Sequence, residues 1–135
     1  VFGMTVNLDF IMNTNRARAN ELLKGGLFEE CRILCQENIW HFQKIAEPSS
    51  RQIASAANCL AMRGECAFRS GDFAGARAFY QKAVHLAPRE SAYWLRLAQS
   101  SACLFEDTGD PRMASESAAA AQNASLLQAR SSAAC

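Results

Sequence analysis

The sequence predicts an all-α fold of helical hairpins stacked into a solenoid of three repeats. Three observations carry this. Half of the 135 residues are hydrophobic, while only seven are Gly and three are Pro, a composition that favours helix over strand. Apolar and small residues recur at steps of three and four along most of the chain, which places them on one face of a helix. The same helix–turn–helix arrangement also returns three times, its turns marked by Gly25-Gly26, Gly71-Asp72 and Gly109-Asp110.

In chain order, residues 1–11 form an N-terminal extension. The stretch "NTNRARANELLK" reads as the first helix, with Asn13 or Thr14 as its cap, and Gly25-Gly26 turns the chain. A longer helix, "FEECRILCQENIWHFQKIA", is closed by Pro48, Ser49 and Ser50. In the third, Ile53, Ala56, Ala57, Leu60, Gly64, Ala67 and Phe68 form the stripe. Gly64 costs about 1 kcal/mol relative to Ala in mid-helix, which a close helix–helix contact justifies. Gly71 supplies the next turn and Asp72 caps the fourth helix. Its stripe runs Phe73, Ala76, Tyr80, Ala83 and Ala87, until Pro88 bars continuation. The fifth, "ESAYWLRLAQSSACLF", places Trp94, Leu97, Ala98, Ser101 and Ala102 together, and "EDTGDP" is a turn. An alanine-rich sixth helix follows, and 128–135 form a C-terminal tail that frays at "SSAAC".

The spacing inside the middle unit is the sharpest signal. Gly64, Gly71-Asp72-Phe73, Ala76-x3-Tyr80, Ala83 and Pro88 sit at the offsets of a 34-residue period if the unit is 57–90. The flanking units, about 12–56 and 91–127, fall in phase with longer connections. These residues resemble a tetratricopeptide repeat (TPR) protein over roughly 12–127, which implies that the solenoid is right-handed. Leu60, Arg63 and Ala67 depart from the family's usual Trp, Leu and Tyr in unit two, and unit three lacks the closing Pro.

The resemblance implies a protein–protein interaction module whose first helices line a concave groove. Transferred position by position, it assigns ligand binding to Arg16, Asn20 and Lys24 in unit one, Met62, Phe68 and Arg69 in unit two, and Arg96 and Gln99 in unit three. Some family members, the co-chaperones, hold a terminal carboxylate with a five-residue clamp. Arg16, Asn20 and Arg96 fall on clamp positions, whereas Met62 and Ala92 replace an Asn and a Lys. The long helices around 40–60 also resemble the variant found beside immunophilin prolyl isomerase domains. The most concrete expectation is thus a chaperone or co-chaperone adaptor for acidic C-termini, its charge-assisted bonds made to carboxylates. Read without the family, Arg16 and Arg18 serve equally well as solvated helix charges, Asn20 as a surface amide and Arg96 as an interhelical ion-pair partner. Two rival expectations stay open: a scaffold whose groove takes another subunit or a second copy, and the repeat part of a larger enzyme.

Other functions find no support. The net charge of +1 gives no basic nucleic-acid surface. No apolar run is long enough to span a membrane, and the opening "VFGMTVNLDFIM" does not read as a signal peptide. Catalytic and nucleotide-binding motifs are absent, so no enzyme activity and no cofactor are expected. Cys31-x3-Cys35 with His41 has no matching second pair and predicts no metal. Cys31, Cys35, Cys59, Cys66 and Cys103 fall in predicted helices, mostly on apolar faces, which together with Cys135 suggests reduced thiols and a cytoplasmic protein.

Overall fold

The computed structural model describes the backbone of residues 2–134 and the side chains of 8–132, and it is built from six helices. They are α1 (Phe2–Lys24), α2 (Phe28–Gln43), α3 (Ser50–Arg69), α4 (Phe73–Leu86), α5 (Ser91–Thr108) and α6 (Pro111–Ala134). Each packs on the next in the chain, and α1 also packs on α3. The result is an all-α stack of three helical hairpins: α1–α2, α3–α4 and α5–α6. Its core runs through the middle hairpin, from Cys31, Cys35 and Ile39 through Leu60 and Tyr80 to Leu97 and Ala120.

The turns obey local chemistry. Gly26, Gly71 and Gly109 hold φ of 78°, 84° and 72°, a region that a side chain would strain. Asp72 caps α4 by accepting a hydrogen bond on Oδ1 from the Gly75 amide at 2.9 Å. Asp72→Ala is expected to lower stability by about 1 kcal/mol; an unchanged urea midpoint would show that the cap contributes nothing. Ser49 closes a full capping box on α3. Its Oγ accepts from the Gln52 amide at 3.1 Å, and its own amide donates to Gln52 Oε1 at 2.9 Å. The sequence carries this signal as Ser-x-x-Gln.

Gly64 justifies itself by contact. A Cβ built there meets Tyr80 Cε2 at 2.7 Å and Cδ2 at 2.9 Å. The glycine therefore admits the Tyr80 ring from α4 onto α3. The departure at Arg63 is also accommodated by packing: its guanidinium lies 4.3 Å from the centre of the Phe79 ring and donates to Gln36 of α2. A flat cation covers apolar surface here where the family's usual leucine would be buried.

Four expectations about helix limits are corrected. Asn13 and Thr14 cap nothing, because α1 begins at Phe2 and runs through them. The reason lies across the interface: Met12 is fully buried, and Asn38 of α2 donates to its carbonyl at 2.7 Å. Helix α2 stops at Gln43 rather than Ala46. Helix α5 continues through Glu106 to Thr108, where left-handed Gly109 ends it. Residues 128–134, expected as a tail, continue α6, since nothing in "QARSSAA" breaks a helix. Cys135 lies outside the described residues.

Candidate functional site

The first helix of each hairpin contributes to one groove. A cavity of about 630 Å³ opens between α1, α3 and α5. Phe10, Asn13 and Arg16 come to it from α1, Arg51, Gln52 and Asn58 from α3, and Glu90 and Tyr93 from α5. The spacing of three between Phe10, Asn13 and Arg16 keeps them on one face of their helix.

Polar side chains order this groove. Arg16 Nη2 donates to Asn13 Oδ1 at 2.8 Å. Gln52, already part of the α3 capping box, donates from Nε2 to Asp9 Oδ1 at 2.6 Å and so ties α3 to α1. Asn58 Nδ2 donates to the Tyr93 hydroxyl at 3.4 Å. Burial pushes the Tyr93 phenol above its ordinary value, against the opposing effect of the Asn58 hydrogen bond. The hydroxyl thus stays neutral and keeps its own proton to donate. Neither Arg16 nor Arg51 has an ion-pair partner among the described residues. The groove thus combines two guanidinium groups that form no ion pair, several amides and a phenol with two carboxylates, Asp9 and Glu90.

A second polar cluster bridges α3, α4 and α5 around Glu65. Arg96 donates to it through Nε at 3.0 Å and Nη2 at 2.7 Å, a two-pronged pair. Arg69 donates through Nε at 2.9 Å, and the Tyr80 hydroxyl donates at 3.2 Å. Burial works to raise the Glu65 pKa, but the hydrogen bonds from Arg96 and Arg69 outweigh it and hold the carboxyl below the ordinary glutamate value. Arg96 also lies 4.4 Å from the centre of the Phe68 ring and donates through Nη1 to Gln99 at 2.8 Å.

The expected ligand-binding residues therefore separate. Arg16 lines the groove. Met62 does not: it is 4% exposed and part of the core. The physical reason is its place in α3, on the same buried arc as Cys59 and Cys66 rather than on the groove side. Phe68, Arg69, Arg96 and Gln99 gather around Glu65, so that an internal carboxylate already takes the bonds assigned to a ligand. Lys24 is exposed and pairs with Glu21 at 3.6 Å, and Asn20 is half-buried away from the cavity lining. Arg51, Gln52 and Tyr93 went unrecognised. Because α1 begins eleven residues earlier than expected, the groove lies at the starts of α3 and α5 instead of their middles.

The cysteines line an internal seam. Cys31, Cys35 and Cys59 are fully buried, and all five described cysteines are free. Burial pushes Cys66 up to about 12, so its thiol is neutral. His41 stands apart from the seam, 3.9 Å from Glu37. Among the described residues, no group of three or more His, Cys, Asp or Glu side chains is placed to hold a metal ion, and no helix is long and apolar enough to cross a membrane.

The model of the tetratricopeptide repeat family matches residues 57–90, which is the α3–α4 hairpin with its Gly64–Tyr80 contact. No curated protein and no solved structure matches the chain. The α3–α4 hairpin is thus a tetratricopeptide repeat, a unit of the kind that serves protein–protein interaction, and a helix pair packs on either side of it.

Proposed function

We propose that this chain is a binding adaptor rather than an enzyme, and that it holds an extended peptide segment of a partner protein between α1, α3 and α5. The observation that carries this is the pair Arg16 and Arg51, which line a common cavity and form no ion pair among the described residues, although Asp9 and Glu90 line it too. Amides at Asn13 and Asn58 and the Tyr93 hydroxyl supply partners for a peptide backbone, which must hydrogen-bond when it leaves water. The two guanidinium groups favour an acidic side chain or a terminal carboxylate on that peptide. Recognition of acidic C-termini in the manner of a co-chaperone is the narrower form of this reading. It rests on Arg16 alone among the expected clamp positions, since Arg96 is engaged by Glu65. The free thiols fit a reducing, cytoplasmic setting.

A labelled peptide ending in Glu-Glu-Val-Asp, beside its C-terminally amidated form, tests the reading. The expected result is micromolar binding of the free acid. Arg16→Ala or Arg51→Ala should weaken it at least about tenfold, because one charge-assisted bond contributes about 1.5–3 kcal/mol. Equal binding of both peptides would remove the terminal carboxylate from the proposal while keeping the acidic side chains. No binding of either would sink it.

A subunit scaffold is the second reading. It is favoured by Phe10, which is 70% exposed at the mouth of the same groove. Sedimentation equilibrium distinguishes it by a mass that rises with concentration and falls back in Phe10→Ser.

A further inference from the structure

Helices α2 and α4 both pack on α3, and a second groove of about 470 Å³ lies between them. Its lining is mainly apolar, with Phe42 from α2, Leu60 from α3, and Ala78 and Leu86 from α4, and it includes the amides of Gln43 and Gln81, the latter already donating to Glu116 at 2.8 Å. Lys82 gives its rim a positive charge. Lys82 and His85 stand three residues apart on α4, and no carboxylate lines the groove. Neither forms an ion pair among the described residues.

We propose that this groove is a second docking site, separate from the one between α1, α3 and α5, and that its occupant is an amphipathic helix of a partner protein with acidic residues beside its apolar stripe. Two properties select that occupant. An extended peptide brings backbone donors and acceptors that need partners, and a mainly apolar lining offers them few. A helix has already satisfied its backbone and presents side chains alone, at i, i+3, i+4 and i+7. The rim then sets the charge. An acidic flank meets Lys82, with the His85 ring beside it as a hydrogen-bond partner, whereas a basic flank meets the like charge of Lys82 with no carboxylate in the groove to relieve it. The concave groove has the opposite character, with many amides, a phenol and two arginines, and suits an extended chain. The two sites thus take different ligands and occupy different faces of α3.

A stapled, fluorescent amphipathic helix with leucines on one face and glutamates on both flanks is the probe, and the same helix with lysine flanks is its control. Fluorescence anisotropy is expected to show binding of the acidic helix to the wild-type protein and at least tenfold weaker binding of the basic one. Ala78→Glu places a charge in the exposed apolar wall and is expected to abolish binding. Lys82→Glu is expected to reverse the preference between the two probes. Both positions are exposed, and matching circular dichroism and melting curves verify that the variants fold. Arg16→Ala, in the other groove, is expected to leave this binding unchanged, so failure of one site is not read as failure of the other. The proposal is overturned if the wild-type protein binds neither helix, if Ala78→Glu binds as well as wild type, or if acidic and basic helices bind equally. A concentration-dependent mass that Ala78→Glu abolishes would assign the groove to a second copy of the chain and overturn it as well.

Discussion

Tyr80→Ala is expected to lower stability by about 3–5 kcal/mol, the usual cost of removing a buried aromatic ring from a core. Tyr80 is 3% exposed, and its ring fills the space that Gly64 leaves open on α3. In a chain of this size the loss corresponds to a fall in melting temperature of roughly 10–20 °C. Gly64→Ala probes the same contact from the other side. A Cβ there comes within 2.7 Å of Tyr80 Cε2, so the ring has to shift. Overpacking typically costs about 1–3 kcal/mol, which outweighs the gain of about 1 kcal/mol in helix propensity. The decisive measurement is a double-mutant cycle with Tyr80→Leu. In that background Gly64→Ala is expected to become neutral or stabilising, because the clash is gone and the propensity gain remains. If Gly64→Ala costs the same in both backgrounds, the close approach of α3 and α4 is not what requires the glycine.

The second large effect is expected at Glu65. Its side chain is 13% exposed and accepts hydrogen bonds from Arg96, Arg69 and Tyr80. Glu65→Ala leaves Arg96, the Tyr80 hydroxyl and Arg69 without that acceptor at the junction of α3, α4 and α5. A loss of about 2–4 kcal/mol at neutral pH is expected from partly buried, charge-assisted bonds. Glu65→Gln retains an acceptor oxygen but not the charge, and should lose about half as much. The pH dependence follows from the depressed carboxyl. Its folded pKa lies below the ordinary 4.5, because the bonds from Arg96 and Arg69 overcome the effect of burial. The stabilisation is therefore complete above the unfolded value and disappears as pH falls through the folded one. Glu116 adds to the same acid sensitivity: bonds from Arg77 and Ser101 likewise outweigh burial and hold it low. Urea midpoints of wild type and Glu65→Gln should thus converge as pH falls below about 4. A gap that stays constant from neutral to acid pH would show that the charge of Glu65 contributes nothing.

The same variant bears on binding. Glu65→Gln weakens the hold on Arg96 and Arg69, two of the residues that the family resemblance assigns to a ligand. In the wild-type protein they are committed to an internal carboxylate. This is why the expected set divides into Arg16, which faces the open groove, and a separate cluster that braces the hairpins.

Sequence alone determined the order of the helices, the turns between them and the repeat signature of the middle hairpin. These are short-range matters: left-handed glycines at Gly26, Gly71 and Gly109, the Asp72 cap, and the three-and-four spacing of Ala76, Tyr80 and Ala83 are each legible within a few residues. Gly64 was also legible as a close-contact position, because a mid-helix glycine is costly unless something fills its space. What only the tertiary structure decided was which polar side chains pair. Arg96 and Glu65 are 31 positions apart, and no local pattern states that the glutamate reaches the arginine before a ligand does. Met62 likewise sits at a position that a family template assigns to the groove, yet the packing of α2 on α3 turns it inward. The extent of α1 was hidden for the same reason. Asn38 holds the Met12 carbonyl across the first hairpin, and that contact places the groove at the starts of α3 and α5. Local backbone chemistry is encoded residue by residue, whereas the pairing of long, flexible charged side chains depends on distances that exist only once the helices have packed.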